Sequence, residues 1–176
     1  MSAPHTLFLD HLATPIGNLI LVADTEARLH HLVWPESEEE VRRELAKHYG
    51  PVNIENVKDP GGVSTQVQSY FAGDLAIIDT MPVVPVGTPF QLKVWAALRE
   101  IPAGEPISYG DMARRIGHPD AFRAVGMACN ANPVAVVVPC HRVVGSGGAM
   151  VGFGGGIPRK QWLLAHEAKD KSLSLF

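Results

Sequence analysis

In the stretch "AVVVPCHRVVG", residues 135 to 145, an apolar run stops at Pro139, and a thiol, an imidazole and a guanidinium follow at Cys140, His141 and Arg142. A cysteine held by rigid flanking structure suits a nucleophile. The attacking form is the thiolate, so a thiol with an ordinary pKa of about 8.5 needs a lowered pKa or a neighbouring base to react quickly at neutral pH. His141 is adjacent, but successive residues on a strand point to opposite faces, so contact requires a turn at Pro139 or a bridging water. His166-Glu167, near the end of the chain, offers a carboxylate that could orient an imidazole. Residue type alone leaves other roles open: free cysteines are commonly small buried hydrophobes, and a glutamate late in a helix is commonly solvated. Cys129, in a predicted helix with no evident base, reads as a packing residue.

The chain has 176 residues, enough for one large domain or two small ones. Hydrophobic residues make up 46% and charged residues 19%, which fits a folded globular protein, and no apolar run nears the roughly 18 residues needed to span a bilayer. "MSAPHTLFLDHLATP" lacks a basic start followed by an apolar block, so no signal peptide is read and a cytoplasmic address is expected. Two cysteines without CxxC spacing argue against a disulfide framework or a four-cysteine zinc site. The net charge of −3 is unevenly spread. Residues 1–87 carry 5 basic and 12 acidic side chains, whereas residues 88–176 carry 10 and 6. A two-lobed protein whose second lobe meets a polyanion would look like this, although ordinary sampling of surface charge would too.

The elements that must position the cysteine follow from pattern. "TLFLDHLATPIGNLILVADTEARLHHLVW" breaks at Pro15-Ile16-Gly17-Asn18 and near Asp24-Thr25, which predicts an antiparallel meander. "SEEEVRRELAKHYG" predicts a helix capped by Ser37 and stopped by Gly50, and "VSTQVQSYFAG" a second one. "MPVVPVGTP", residues 81–89, is the candidate linker, giving domains 1–87 and 88–176. Beyond it, Thr88, Pro89 and Gln91 make a capping box, with Phe90, Val94, Trp95, Leu98 and Ile101 on one buried face. In "SYGDMARRIGHPDAFRAVGMACNANP", Ser108 and Asp111 cap one helix, Gly117 ends it, and Pro119 fits the first turn of the next. That is the outline of a helix-turn-helix, a weak signal on its own. Arg123, Gly126, Met127 and Asn130 share a face of its second helix. Tyr109, at the start of its first helix, reads as a half-buried residue with a wet hydroxyl. A strand "VAVVV", a glycine-rich loop "GSGGAMVGFGGG" and a last helix "PRKQWLLAHEAK", burying Trp162 and Leu163 or Leu164, complete the lobe.

Taken together, "NPVAVVVPCHRVVG", "SYGDMARRIG", "RAVG", "GFGGG" and "RKQWLLAHE" resemble the methylated-DNA–protein-cysteine methyltransferases, the O6-alkylguanine-DNA alkyltransferases. The matching segments run from about Thr88 to Glu167; the first lobe agrees only in layout. The resemblance implies an α+β protein with a small N-terminal αβ domain built on an antiparallel sheet. It gives the second domain a mostly helical fold containing the helix-turn-helix. It implies irreversible, single-turnover transfer of an alkyl group from O6-alkylguanine in double-stranded DNA, and it leaves O4-alkylthymine open. Binding would be through the minor groove with the nucleotide flipped out.

The resemblance assigns Cys140 as nucleophile, His141 as base through a water, Glu167 as its orienting carboxylate and Asn132 as a buried amide tying the recognition helix to the cysteine segment. Arg123 would occupy the vacated stack and Tyr109 would contact the flipped guanine, with Ala121, Ala124 and Gly126 permitting close approach. The carbonyls of Cys140 and Val143 would meet the guanine amino group, and amides of Phe153, Gly154 and Gly155 would serve the departing oxygen. No cofactor, metal or membrane is implied. The protein would be a monomer, with cooperativity on DNA left open. Phe153, where the family often has tyrosine, and the bulky Phe122 and Met127 depart from the usual pattern. The rival readings are a non-catalytic binder of alkylated DNA, which has tryptophan at the nucleophile's position, a cysteine hydrolase that would turn over, and a helix-turn-helix regulator.

Overall fold

The computed structural model describes residues 6–168. The chain's first five residues and Lys169, the last residue of the predicted final helix, lie outside that range. The chain divides into two compact units, one ending at Val86 and the next beginning at Gly87.

In the first unit, β1 (Thr6–Thr14), β2 (Gly17–Asp24) and β3 (Leu29–Val33) form the predicted antiparallel meander. The hairpin turns at Pro15-Ile16, as expected. The sheet order is β3-β2-β1-β4, because a fourth strand, β4 (Asn53–Asn56), adds parallel to β1 after the crossover helix α1 (Glu38–Tyr49). Register explains the core: Leu9 pairs with Val22, so alternate residues of the two strands share a face. Leu7, Leu9, Ile20 and Val22 pack there against Val41 and Leu45 of α1. Ser37 accepts the amide of Glu40 and Gly50, at φ 68°, ends α1. The second predicted helix is α2 (Val63–Phe71). Part of the predicted linker is tied to the sheet, since Leu29 N donates to Pro82 O at 2.9 Å and Val84 N to Leu29 O at 2.8 Å.

In the second unit α3 (Pro89–Leu98) opens with the capping box intact, and it buries Val94, Trp95 and Leu98. The helix-turn-helix is α4 (Tyr109–Arg115) and α5 (Phe122–Asn130). Trp95 Nε1 donates to Ala128 O at 2.8 Å, pinning α5 to α3. Three local expectations are corrected. Pro119 precedes α5 rather than entering it: Ala121 N donates to His118 O, a β-turn with proline at its second position. Trp162 is only half-buried on α6 (Ile157–Glu167), whereas Leu163 and Leu164 are both buried. The run 134–138 is not a strand: residues 135–137 form a turn, with Val136 at φ 71°. A short parallel pair, β5 (Ile107–Ser108) with β6 (Val143–Val144), sets the start of α4 beside the cysteine segment.

The first unit also encloses two histidines. His31 is buried, and burial pushes its pKa down from 6.5 to about 4; burial likewise lowers that of His30, against the opposing pull of Asp24. Both imidazoles bind a proton less readily in the fold than in the unfolded chain, so stability present above pH 6.5 is lost as pH falls below it, for His31 toward pH 4. At 1.36 kcal/mol per unit, the His31 share is roughly 3 kcal/mol. Urea denaturation between pH 7 and pH 4 should therefore show this loss, and His31→Leu should flatten the slope.

Candidate active site

Asn132 organises the cysteine segment. Its Oδ1 accepts the amide of Val134 at 2.9 Å, and its Nδ2 donates to Val138 O at 2.8 Å. These bonds do inside one loop what a neighbouring strand would otherwise do, which is why an apolar β-branched run closes into a turn. The same Nδ2 lies 3.4 Å from Cys140 Sγ. Cys140 N donates to Val138 O at 2.8 Å, and residues 140–142 then form a single 3₁₀ turn. A turn after Pro139 was one of the two ways, a bridging water being the other, in which the sequence allowed Cys140 and His141 to work together.

Behind the thiol lies a buried ionic network. Glu167, on α6, accepts from His141 Nε2 at 2.9 Å and from Arg142 Nε and Nη2 at 2.9 and 2.8 Å. Arg142 Nη1 also donates to Ile101 O at 2.6 Å. All three side chains are essentially inaccessible to solvent. Burial acts to raise the carboxyl pKa of Glu167, but the charges and hydrogen bonds of His141 and Arg142 outweigh it and hold the group well below the usual range. An ionised carboxylate only accepts, so His141 Nε2 carries the proton and, in neutral imidazole, Nδ1 holds the lone pair. Among the described residues that Nδ1 is buried and has no hydrogen-bond partner. That lone pair makes Nδ1 the basic nitrogen of the ring.

The thiol needs such a base. Cys140 is 5% exposed, and burial pushes its pKa up, against smaller opposing effects of the Asn132 hydrogen bond and the Lys160 charge. Cys140 therefore rests as a thiol. Lys160 is fully buried, donates to Val151 O at 3.0 Å and places Nζ 5.6 Å from the Tyr109 ring centroid. The Tyr109 hydroxyl donates at long range to Val151 O and Gly152 O, 3.4 and 3.3 Å away. Burial raises its pKa to about 12, so it stays a proton donor.

The remaining candidates occupy two places. Val143 is buried in β6, and its amide donates to Cys140 O. Phe153, Gly154 and Gly155 lie in the loop before α6, where Gly156 N donates to Phe153 O and Arg159 holds Gly155 O at 3.0 Å. On α5, Arg123 and Ala124 are exposed, Ala121 is half-buried at the helix start, and Gly126 faces Tyr109. A Cβ on Gly126 would sit 3.8 Å from the Tyr109 ring, an ordinary contact, so packing within this unit does not demand glycine there.

Sequence reasoning missed Arg142 and Lys160 as members of the site. Lys160 was findable, because Lys160, Leu163, Leu164 and Glu167 fall at i, i+3, i+4 and i+7 and share the buried face of α6. Arg142 had no such signal; its partner lies 25 residues away in sequence.

Two family models match the chain: "6-O-methylguanine DNA methyltransferase, DNA binding domain" over residues 89–169 and the "ribonuclease-like domain" of the same methyltransferase over residues 8–85. A methylated-DNA–protein-cysteine methyltransferase of Shigella flexneri is 46% identical over 163 residues, covering 92% of this chain and 95% of that protein. One from Methanosarcina mazei is 42% identical, covering 90% and 96%. Among solved structures, Mycobacterium tuberculosis OGT in complex with DNA is 39% identical with a TM-score of 0.72, covering 91% of this chain and 92% of that one.

Removing one partner of a buried ion pair strands the other's charge, at a cost of about 3–5 kcal/mol. Arg142→Met is expected to destabilise the protein by that order in urea denaturation. Pairing it with Glu167→Gln, which removes the stranded charge, should recover a large part of the loss.

Proposed function

The chain belongs to the methylated-DNA–protein-cysteine methyltransferase family and repairs DNA by direct reversal, and from that premise we propose that Cys140 is the acceptor and O6-alkylguanine in double-stranded DNA the donor. The observation that carries this reading is a single turn that holds two groups together: the Cys140 thiol beside the half-buried Asn132 amide, and the buried His141–Glu167–Arg142 network, in which His141 Nδ1 has no partner among the described residues. The helix-turn-helix supplies the DNA-facing surface, through the minor groove, and the protein acts as a cytoplasmic monomer. Among the described residues no helix is long and apolar enough to cross a membrane.

The steps follow from the groups. The target carbon sits on a guanine oxygen that the duplex partly hides, so the nucleotide is flipped out and Arg123 takes its place in the stack. A water between Cys140 Sγ and His141 Nδ1 passes the thiol proton to the imidazole, and Glu167 stabilises the resulting cation. The sulfur then attacks the alkyl carbon: the S–C bond forms, the C–O6 bond breaks, and its electron pair leaves with guanine. One proton must reach the departing base. Tyr109 lends a hydrogen bond by turning from its long contacts with Val151 and Gly152, the amides of 153–155 lend others, and the imidazolium returns the proton through water. Val143 O and the free lone pair of Cys140 O accept from the guanine amino group. The product is a thioether, which neither water nor a thiol displaces readily, so each molecule reacts once.

The rivals fare worse. A non-catalytic binder would lack the thiol, and a sequence-specific regulator has no use for a buried base behind one. Incubation with a duplex containing O6-methylguanine should add one CH2 to the intact protein mass, mapped to Cys140 and abolished by Cys140→Ala, because only the thiolate is a competent acceptor. Product beyond one equivalent would reject single turnover. Arg123→Ala should lower the rate on duplex at least tenfold relative to the rate on free alkylated base, where nothing has to be flipped. A proportional fall on both substrates would remove Arg123 from that role.

A further inference from the structure

Large apolar side chains exposed on a helix raise the question of what covers them. On α5 there are two: Phe122 is 49% exposed and Met127 is 73% exposed. They flank Arg123 on the surface of the same helix. Phe122 is the first residue of α5, and the Arg123 guanidinium carbon lies 5.8 Å from its ring centroid. Successive helical residues normally diverge, so this contact means that the arginine folds back over the ring. Met127, four residues after Arg123, lies on the same side one turn further on.

We propose that Phe122 is a second insertion residue, its ring wedging into the base stack beside Arg123 when α5 lies in the groove, with Met127 following along the groove floor. This rests on the reading of Arg123 given above and extends it. A guanidinium on four rotatable bonds is a loose plug, and each bond that must be frozen to fill the gap costs conformational entropy. A phenyl ring has two such bonds and a flat apolar face. Apolar wedges of this kind unstack a base step and kink the duplex away from the inserted helix. The ring also holds the guanidinium close in the free protein, so part of the ordering precedes DNA binding. Phe122 and Arg123 then form one two-part plug, and the bulk of Phe122 makes this chain depend on the stack around the lesion more than a small residue would.

The test compares rate constants for duplex O6-methylguanine and for the free O6-methylguanine base in wild type, Phe122→Ala and Phe122→Leu. Because the ring is half in solvent, the fold should tolerate both changes, and thermal melting checks that it does. The duplex-to-free-base ratio is expected to fall at least tenfold in Phe122→Ala and to return most of the way in Phe122→Leu, which restores an apolar wedge. A fluorescent 2-aminopurine placed 5′ to the lesion should brighten on binding wild type, reporting unstacking, and stay dim with Phe122→Ala. An unchanged ratio in Phe122→Ala, or equal brightening, overturns the proposal. Failure of wild type to take the methyl group from either substrate would instead overturn the function on which it rests.

Discussion

One carboxylate, that of Glu167, holds the site together, because three donors from the cysteine turn converge on it: one from His141 and two from Arg142. A lone buried carboxylate would cost several kcal/mol, and a guanidinium without a partner as much again. Sharing makes burial tolerable and has a chemical consequence. The carboxylate cannot take up a proton at any ordinary pH, so it fixes which nitrogen of His141 is bare. Arg142 thus acts through Glu167 on His141, and an ion pair that looks structural selects the tautomer.

The network also anchors α6 to the turn that carries the thiol. Glu167 is the last residue of α6, and Lys160 on the same face donates to Val151 O in the loop preceding the helix. That loop in turn receives the Tyr109 hydroxyl from α4. Cysteine turn, glycine-rich loop and first helix of the helix-turn-helix are therefore linked by polar contacts, and Trp95 fastens α5 through Ala128. The glycine-rich stretch is positioned from both sides rather than by its own propensity.

What could be read from the sequence divides along physical lines. Caps and stops are local chemistry, so Ser37, Thr88, Ser108, Gly50 and Gly117 were legible, as were the meander and both helices of the helix-turn-helix. The run at 134–138 was misread because β-branched residues favour strands only where a neighbouring strand supplies hydrogen bonds, and here Asn132 supplies them from two residues upstream. The parallel strand β4 was not anticipated, since "NIEN" has no apolar alternation. Among the site residues, Cys140, His141 and Glu167 stood out by type and by the family they resemble, while Arg142 was given no role. Long-range pairing between buried charges leaves no trace in local pattern.

Burial of the proposed nucleophile, at first sight at odds with reactivity, suits a protein that reacts once. An exposed thiolate would be oxidised or alkylated by whatever it met, and a thioether formed with the wrong partner would be as permanent as one formed with the right one. Raising the Cys140 pKa by burial keeps the sulfur protonated and inert, while His141 stands ready with an open lone pair. In the proposed reaction, the thiolate forms only when a purine fills the site and excludes bulk water, where the attraction between the Glu167 carboxylate and the imidazolium is strongest. A catalyst that turns over loses one cycle to a mistaken encounter; this protein would lose itself, so selection of the substrate has to precede activation of the sulfur.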